Sequence, residues 1–355
     1  MSNEPVHTPG LSPLASAPAR PVLTKKDYMS DQIIRWCPGC GDYAILAQAQ
    51  TVFAELQIPR EELVIVSGIG CSSRFPYYVS SYGFHTIHGR APTIATGLKV
   101  SRPELSVWVV TGDGDALSIG GNHTAHMLRR NVDLQVLLIN NRIYGLTKGQ
   151  YSPTSEEGKK TKSTPFGSVD HPMMPLAFAL GCDASFVARS VDIFTSQQRD
   201  VLKAAHHHRG TSFVEIYQNC NIFNDGAWDQ LIDKQVREER CLFLENGKPM
   251  TFAGGKKGIK LNGLRPSVVV LGEQPDGRTI TADDCLVHDQ TDPFLGALLA
   301  RMDHPEFPVP MGVIHAKERP TFDGQMNAQM QEVIATRGVG DLQALVNGRE
   351  TWQVG

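Results

Sequence analysis

The stretch that most constrains this chain is Gly112-Asp113-Gly114-Asp115, followed 25 residues later by Asn140-Asn141. An apolar run at 107–110 leads into the glycines, and a second at 134–139 leads into the asparagines. Both runs are short, β-branched or leucine-rich and bounded by breakers, so they read as buried strands of a parallel sheet. The intervening segment 117–130 reads as the crossover helix that joins them.

Such a unit sets Asp113 and Asn141 at the carboxyl ends of two strands, where open α/β sheets bind ligands. A hard oxygen donor at each end, with glycines that admit a close backbone, suits Mg²⁺ held against a diphosphate. Gly-Asp-Gly is also an ordinary turn sequence. Its spacing to a double Asn at a strand end is what resembles the thiamine diphosphate motif.

The same reading extends along the chain. Residues 31–41 form a loop carrying Cys37-Pro38-Gly39-Cys40, and 43–56 place Ile45, Ala49, Val52, Phe53 and Leu56 on one helix face. A buried strand at 63–66 runs into the turn Ser67-Gly68-Ile69-Gly70-Cys71-Ser72, a third strand end at the same candidate site. Residues 81–90 are polar and aromatic, and 92–100 read as a small-residue helix stopped by Arg102-Pro103. The turn-forming segment 151–170 is too long for a simple connection and reads as a functional loop. Helices at 175–180 and 192–207 alternate with strands at 184–188 and 213–216. The fold class expected is therefore α/β, a mostly parallel sheet flanked by helices over 29–224. An extended or disordered tail, 1–28, precedes it. A C-terminal extension, 225–355, wraps the domain or a partner subunit and carries a strand at 267–271 and helices at 293–302 and 325–334.

The 355 residues are 41% hydrophobic, enough for a real core. A net charge of -3 gives no electrostatic case for nucleic acid. No window reaches the ~18 apolar residues of a membrane span. Residues 1–20, rich in Pro, Ala and Ser, lack the basic start and apolar run of a signal peptide, so a cytoplasmic location is expected.

Of seven cysteines, four fall where chemistry is expected. Cys37 and Cys40 form a CxxC, Cys71 follows the first strand, and Cys220 follows the last. Four thiolates suit a [4Fe-4S] cluster or a structural Zn²⁺, and a redox disulfide is the rival for the CxxC pair. Cys182, Cys241 and Cys285 read as free buried cysteines. His206-His207-His208 reads as a solvated helix end.

In order along the chain, CPGCGDY, SGIGCSSR, HTIHGRAPTIATGLK, GDGDALSIGGNH, INNRIYGLTKGQYSPT and IYQNCN resemble the β subunit of the 2-oxoacid:ferredoxin oxidoreductases, particularly the 2-oxoglutarate type. The resemblance implies a thiamine diphosphate-binding fold. It implies Cys37, Cys40, Cys71 and Cys220 as ligands of one [4Fe-4S] cluster, and Asp113, Asn141 and the Ile143 carbonyl as ligands of Mg²⁺. Contacts to thiamine diphosphate fall to Ile69, Gly70, Cys71, Ser72, His88, Gly114, Asp115, Gly145 and Leu146. Arg74 and Lys148 are candidates for the distal carboxylate of the substrate. The implied reaction is reversible oxidative decarboxylation of 2-oxoglutarate with coenzyme A to succinyl-CoA and CO₂, with ferredoxin as electron carrier. With room here for one such domain, an α subunit would supply the pyrimidine-binding domain and the activating Glu, in an α₂β₂ assembly. Pyruvate or broad specificity is the nearest alternative. A non-oxidative thiamine diphosphate decarboxylase with zinc, or a noncatalytic electron-transfer subunit, is further off.

Overall fold

Leu63–Ser67 (β1), Tyr82–His85 (β2), Ser106–Gly112 (β3), Leu134–Asn140 (β4), Phe186–Val191 (β5) and Thr211–Tyr217 (β6) are parallel strands of one sheet, in the order β2-β1-β3-β4-β6-β5. The computed structural model describes residues 21–352 and residue 354. The expected tail lies outside them as far as residue 20. Beyond that, Lys25–Tyr28 makes a 3-10 turn whose buried Tyr28 donates from its hydroxyl to the Ile58 carbonyl at 2.5 Å.

The apolar runs sort by strand periodicity into two cores, because successive side chains leave opposite faces of a sheet. Leu63, Ile65, Trp108, Val110, Leu137 and Ile139 pack under helices Asp42–Glu55 and Thr195–His207. Val64, Val66, Val107, Val109, Val136 and Leu138 pack under Ala91–Ser101, Gly121–Arg130 and Pro175–Gly181. Burial on both faces explains why these strands are continuously apolar. Full burial stabilises each such side chain by roughly 1.5–3 kcal/mol.

Several elements depart from the sequence expectation. β2, a polar and fully exposed strand, forms the sheet edge where only a polar, aromatic segment was read. The crossover helix opens as a π-turn, Asp115–Ile119, before the α-helix Gly121–Arg130. Of the three histidines expected as a solvated helix end, only His207 is exposed. His208 is buried with Nε2 2.7 Å from Ser185 Oγ, and the His206 ring stacks on Trp108. Burial lowers the pKa of both, so neither supplies a charge to the helix terminus.

Beyond β6, Cys241–Phe243 (β7) belongs to the same sheet. Thr251–Phe252 (β8), Lys257–Asn262 (β9) and Arg265–Val270 (β10) make a separate antiparallel sheet, and Gly272–Glu273 (β11) pairs with Thr279–Ile280 (β12). Val309–Ala316 (β13) then pairs antiparallel to β5 and parallel to β7, completing the eight-stranded sheet. Helix Phe322–Arg337 buries only Asp323, whose carboxylate accepts from Asp133 N at 3.0 Å. Among the described residues no helix is long and apolar enough to cross a membrane.

Candidate active site

The register of the parallel strands brings the turns after Ser67, Gly112, Asn140 and Tyr217 to one edge of the sheet. Between the first three lies a cavity of about 110 Å³. Its walls include Ile69, Gly70, Cys71, Ser72, His88, Asp113, Gly114, Asp115, Asn141, Ile143, Gly145 and Leu146. Residues as far apart in the chain as Ile69 and Thr147 thus meet around one space.

Asp113 is 2% exposed, and no basic side chain among the described residues pairs with it. Its Oδ2 accepts from Ser152 Oγ at 2.5 Å and Thr154 Oγ1 at 2.6 Å. Burial pushes its pKa up, against the pull of those hydroxyls. A buried carboxylate with only neutral partners is a natural ligand for a divalent cation, which would offset the cost of its charge. Asn141 is oriented from both ends: its Oδ1 accepts from Ile143 N at 3.1 Å, and its Nδ2 donates to Gln218 Oε1 at 3.0 Å.

Asp115 does a different job, since its carboxylate is occupied by the chain itself. Oδ1 accepts from Gly89 N at 2.7 Å, Ile69 N at 3.2 Å and His88 Nδ1, while Oδ2 accepts from Thr111 Oγ1 at 2.6 Å. It therefore holds two cavity turns and the His88 ring in place. Gly68 is required for this closeness, because a Cβ there would lie 1.7 Å from Asp115 Oδ2. Likewise a Cβ on Gly114 would strike the Tyr144 ring, whose hydroxyl donates to Gly114 O at 3.0 Å.

The four cysteines converge behind the same cavity. A Cβ on Gly145 would lie 3.5 Å from Cys220 Sγ and 3.7 Å from Cys71 Sγ, so both sulfurs sit one side-chain position away from this cavity-lining glycine. Backbone and side-chain bonds staple the loops together: Trp36 Nε1 donates to Cys71 O at 2.7 Å, Asn221 Nδ2 to Pro38 O at 2.7 Å, and Gly41 N to Asn219 O at 3.2 Å. All seven cysteines are free thiols, including the CxxC pair. Burial raises the pKa of Cys40 and pushes that of Cys71 up to about 11; the charges of Asp42 and neighbouring cysteines add to both shifts. Cys241 and Cys285 are buried as expected, whereas Cys182 is half-buried.

Arg74 and Lys148 do not line the cavity. Arg74 sits with Arg35 and His85 in an adjoining pocket that shares Gly70 and Leu146 with it, and donates from Nη1 to Arg35 O at 3.2 Å. Lys148 is exposed, in a backbone conformation with φ of 77°.

Sequence reasoning missed the polar side chains that lock these turns. Asn140 Nδ2 donates to Glu215 Oε1 at 2.8 Å, and the buried Arg189 donates from Nε to Glu215 Oε2 at 2.8 Å. Arg142 lies 4.0 Å over the Trp228 ring, which stacks on Tyr217. Asn224 donates to Asn141 O at 2.9 Å and accepts from Lys159, tying the 151–170 loop to the double-Asn turn. Only the length and polarity of that loop hinted at such a role.

Comparison with known proteins agrees with this geometry. Residues 68–216 match the model of the thiamine pyrophosphate enzyme, C-terminal TPP binding domain. The chain is 49% identical to the 2-oxoglutarate oxidoreductase subunit KorB of Mycobacterium tuberculosis, over 98% of this chain and 93% of that one. It is 43% identical to the 2-oxoglutarate synthase subunit KorB of Archaeoglobus fulgidus, over 55% of this chain and 73% of the relative. Among solved structures it resembles the 2-oxoglutarate:ferredoxin oxidoreductase from Magnetococcus marinus, described with 2-oxoglutarate, coenzyme A and succinyl-CoA bound. The TM-score is 0.73 at 34% identity, covering 92% of this chain and 96% of the other. A cavity at the carboxyl ends of the strands, a converging set of cysteines and a whole-length relative give one answer: the chain belongs to the β subunits of the 2-oxoacid:ferredoxin oxidoreductases, and resembles the 2-oxoglutarate type.

Proposed function

We propose that this chain is the thiamine diphosphate-, Mg²⁺- and [4Fe-4S]-binding β subunit of a cytoplasmic enzyme that converts 2-oxoglutarate and coenzyme A to succinyl-CoA and CO₂, reversibly, with ferredoxin as electron carrier. The observation that carries it is Gly145, which lines the cavity and lies one side-chain position from the sulfurs of Cys71 and Cys220. A cofactor seated there would be separated from a cluster by little more than a glycine.

The residues fit both groups. Asp113, Asn141 and the Ile143 carbonyl would hold Mg²⁺, for which the buried, cation-free Asp113 carboxylate supplies the reason. Cys37, Cys40, Cys71 and Cys220 would hold the cluster. Among the described residues no three or more His, Cys, Asp or Glu side chains are placed to hold a single metal ion. Four thiolates suit either a [4Fe-4S] cluster or a tetrahedral zinc, and the redox reaction proposed here is what favours the cluster.

When bound, thiamine diphosphate supplies the electron sink for loss of CO₂, and the cluster accepts electrons singly. The chain's own work is orientation. Asp115 fixes the Ile69 and His88 turns, Ser152 and Thr154 fix Asp113, and Glu215 fixes Asn140. Arg74, in the adjoining pocket, is the candidate grip on the distal carboxylate, since a guanidinium can bind it through two parallel hydrogen bonds. The α subunit would bring the pyrimidine-binding domain and its Glu, in an α₂β₂ complex.

The test is the anaerobically purified complex, assayed with 2-oxoglutarate, pyruvate and branched 2-oxoacids in the presence of coenzyme A and ferredoxin. The expected protein is brown, contains iron and thiamine diphosphate, and prefers 2-oxoglutarate. A colourless protein with zinc and no iron overturns the redox reading, and preference for pyruvate overturns the substrate.

A further inference from the structure

One buried side chain touches both halves of the site. Gln218 is 1% exposed and follows β6 directly, with its backbone N–H donating to Asn140 O at 2.9 Å. Its Oε1 accepts from Asn141 Nδ2 at 3.0 Å, and its Nε2 lies 3.3 Å from Cys40 Sγ. Nε2 also donates to Asn219 O at 2.5 Å.

The polarity of this chain of contacts is set by the backbone. The Ile143 N–H is a donor only, so the oxygen of Asn141 must face it and the Asn141 amide nitrogen must face Gln218. Gln218 therefore presents its oxygen to Asn141 and its NH₂ to the acceptors on the other side, Asn219 O and Cys40 Sγ. An amide NH₂ has two hydrogens, enough for both.

We propose that Gln218 is a positioning residue that bridges the two cofactor sites, orienting Asn141 toward the metal through its oxygen and donating an N–H···S hydrogen bond to the cluster ligand Cys40 through its nitrogen. The proposal rests on the functional reading above. Hydrogen bonds to the sulfurs of an iron–sulfur cluster favour its reduced, more negative state and so raise its potential. Contacts behind a metal ligand hold it in its binding geometry, and their loss typically weakens metal affinity ~10–100-fold. Because one side chain serves both, a single substitution at Gln218 acts on the metal site and on the cluster together.

The test uses the assembled complex. Gln218→Met keeps the length and neutrality of the side chain and removes both bridging bonds along with the one to Asn219 O. In this variant the cluster midpoint potential, from an anaerobic redox titration, should move to more negative values. The apparent Kd for Mn²⁺, used in place of Mg²⁺ with thiamine diphosphate present, should rise ~10-fold or more. A shift in only one of the two quantities, or in neither, overturns the bridge. A measurement on the unmutated complex keeps the question open to decision should that variant lose its cluster. With glutamine side chains labelled with ¹⁵N, pulsed EPR of the reduced cluster should detect a ¹⁵N coupling, and its absence overturns the N–H···S bond. An unmutated complex without iron or an EPR signal would instead overturn the functional reading.

Discussion

The two halves of the site are built differently. The half around Asp113 and Asn141 stands on strand ends, with its carboxylate and amides already held by Ser152, Thr154, Glu215 and Gln218. The half around the cysteines stands on loops. There Cys37 is exposed, and the half-buried thiols Cys40 and Cys71 have pKa values raised by burial and by the charge of Asp42, against a few favourable contacts such as the Gln218 N–H on Cys40. A diphosphate site can be preorganised without its ligand because hydroxyls and amides satisfy one another. A cluster site needs its metal, because thiolates must lose protons that burial makes hard to remove.

If that contrast is right, the halves break separately, and the largest effect is on the cysteine side. Cys220→Ser should lower iron content and bring 2-oxoglutarate-dependent ferredoxin reduction to background, measured in the anaerobic complex, while thiamine diphosphate is retained. Next comes the buried ion pair under the double-Asn turn. Removing one partner in Glu215→Ala leaves Arg189 buried and unpaired, which should cost ~3–5 kcal/mol in denaturant unfolding. The paired substitution Ser152→Ala and Thr154→Val should weaken metal binding ~10–100-fold, with activity recovered by added Mg²⁺ and iron content unchanged. If added Mg²⁺ fails to restore activity, the hydroxyl clamp on Asp113 is merely structural.

The smallest effect lies away from the site. Burial lowers the pKa of His208 from its ordinary 6.5, so its imidazole stays neutral in the native state. The unfolded chain takes up a proton there as pH falls below 6.5, and the native state does so only at lower pH. The stabilising contribution is therefore intact above 6.5 and lost as pH falls through the native pKa. His208→Gln should flatten the fall in Tm on acidification by no more than the slope of one proton. A variant as steep as the parent would remove His208 from the account.

What could be read from residues alone divides along similar lines. β1, β3, β4 and β6 were legible because each is a short apolar run, closed or followed by Gly or Asn in the first three, and the cysteines because a CxxC is a local signal. β13 was not, since its place beside β5 depends on pairing across more than a hundred residues. β2 was not, because an exposed edge strand of Tyr, Gly, Phe and His has no apolar period. Asp115 was legible as part of the motif but not in its job of bracing two turns. Gln218, Ser152 and Thr154 were invisible as site residues for a related reason: a polar side chain acquires a role only from what folding brings against it.

The central claim is that the cavity and the cysteines form one electron-transfer unit. Its most direct test is to add 2-oxoglutarate and coenzyme A to the anaerobic complex without ferredoxin and follow the visible absorbance of the cluster. The unmutated complex should bleach as its cluster is reduced, and an Asp113→Ala complex with the same iron content should not. Bleaching that persists in Asp113→Ala, or an unmutated complex that consumes 2-oxoglutarate with its cluster still oxidised, would contradict the account.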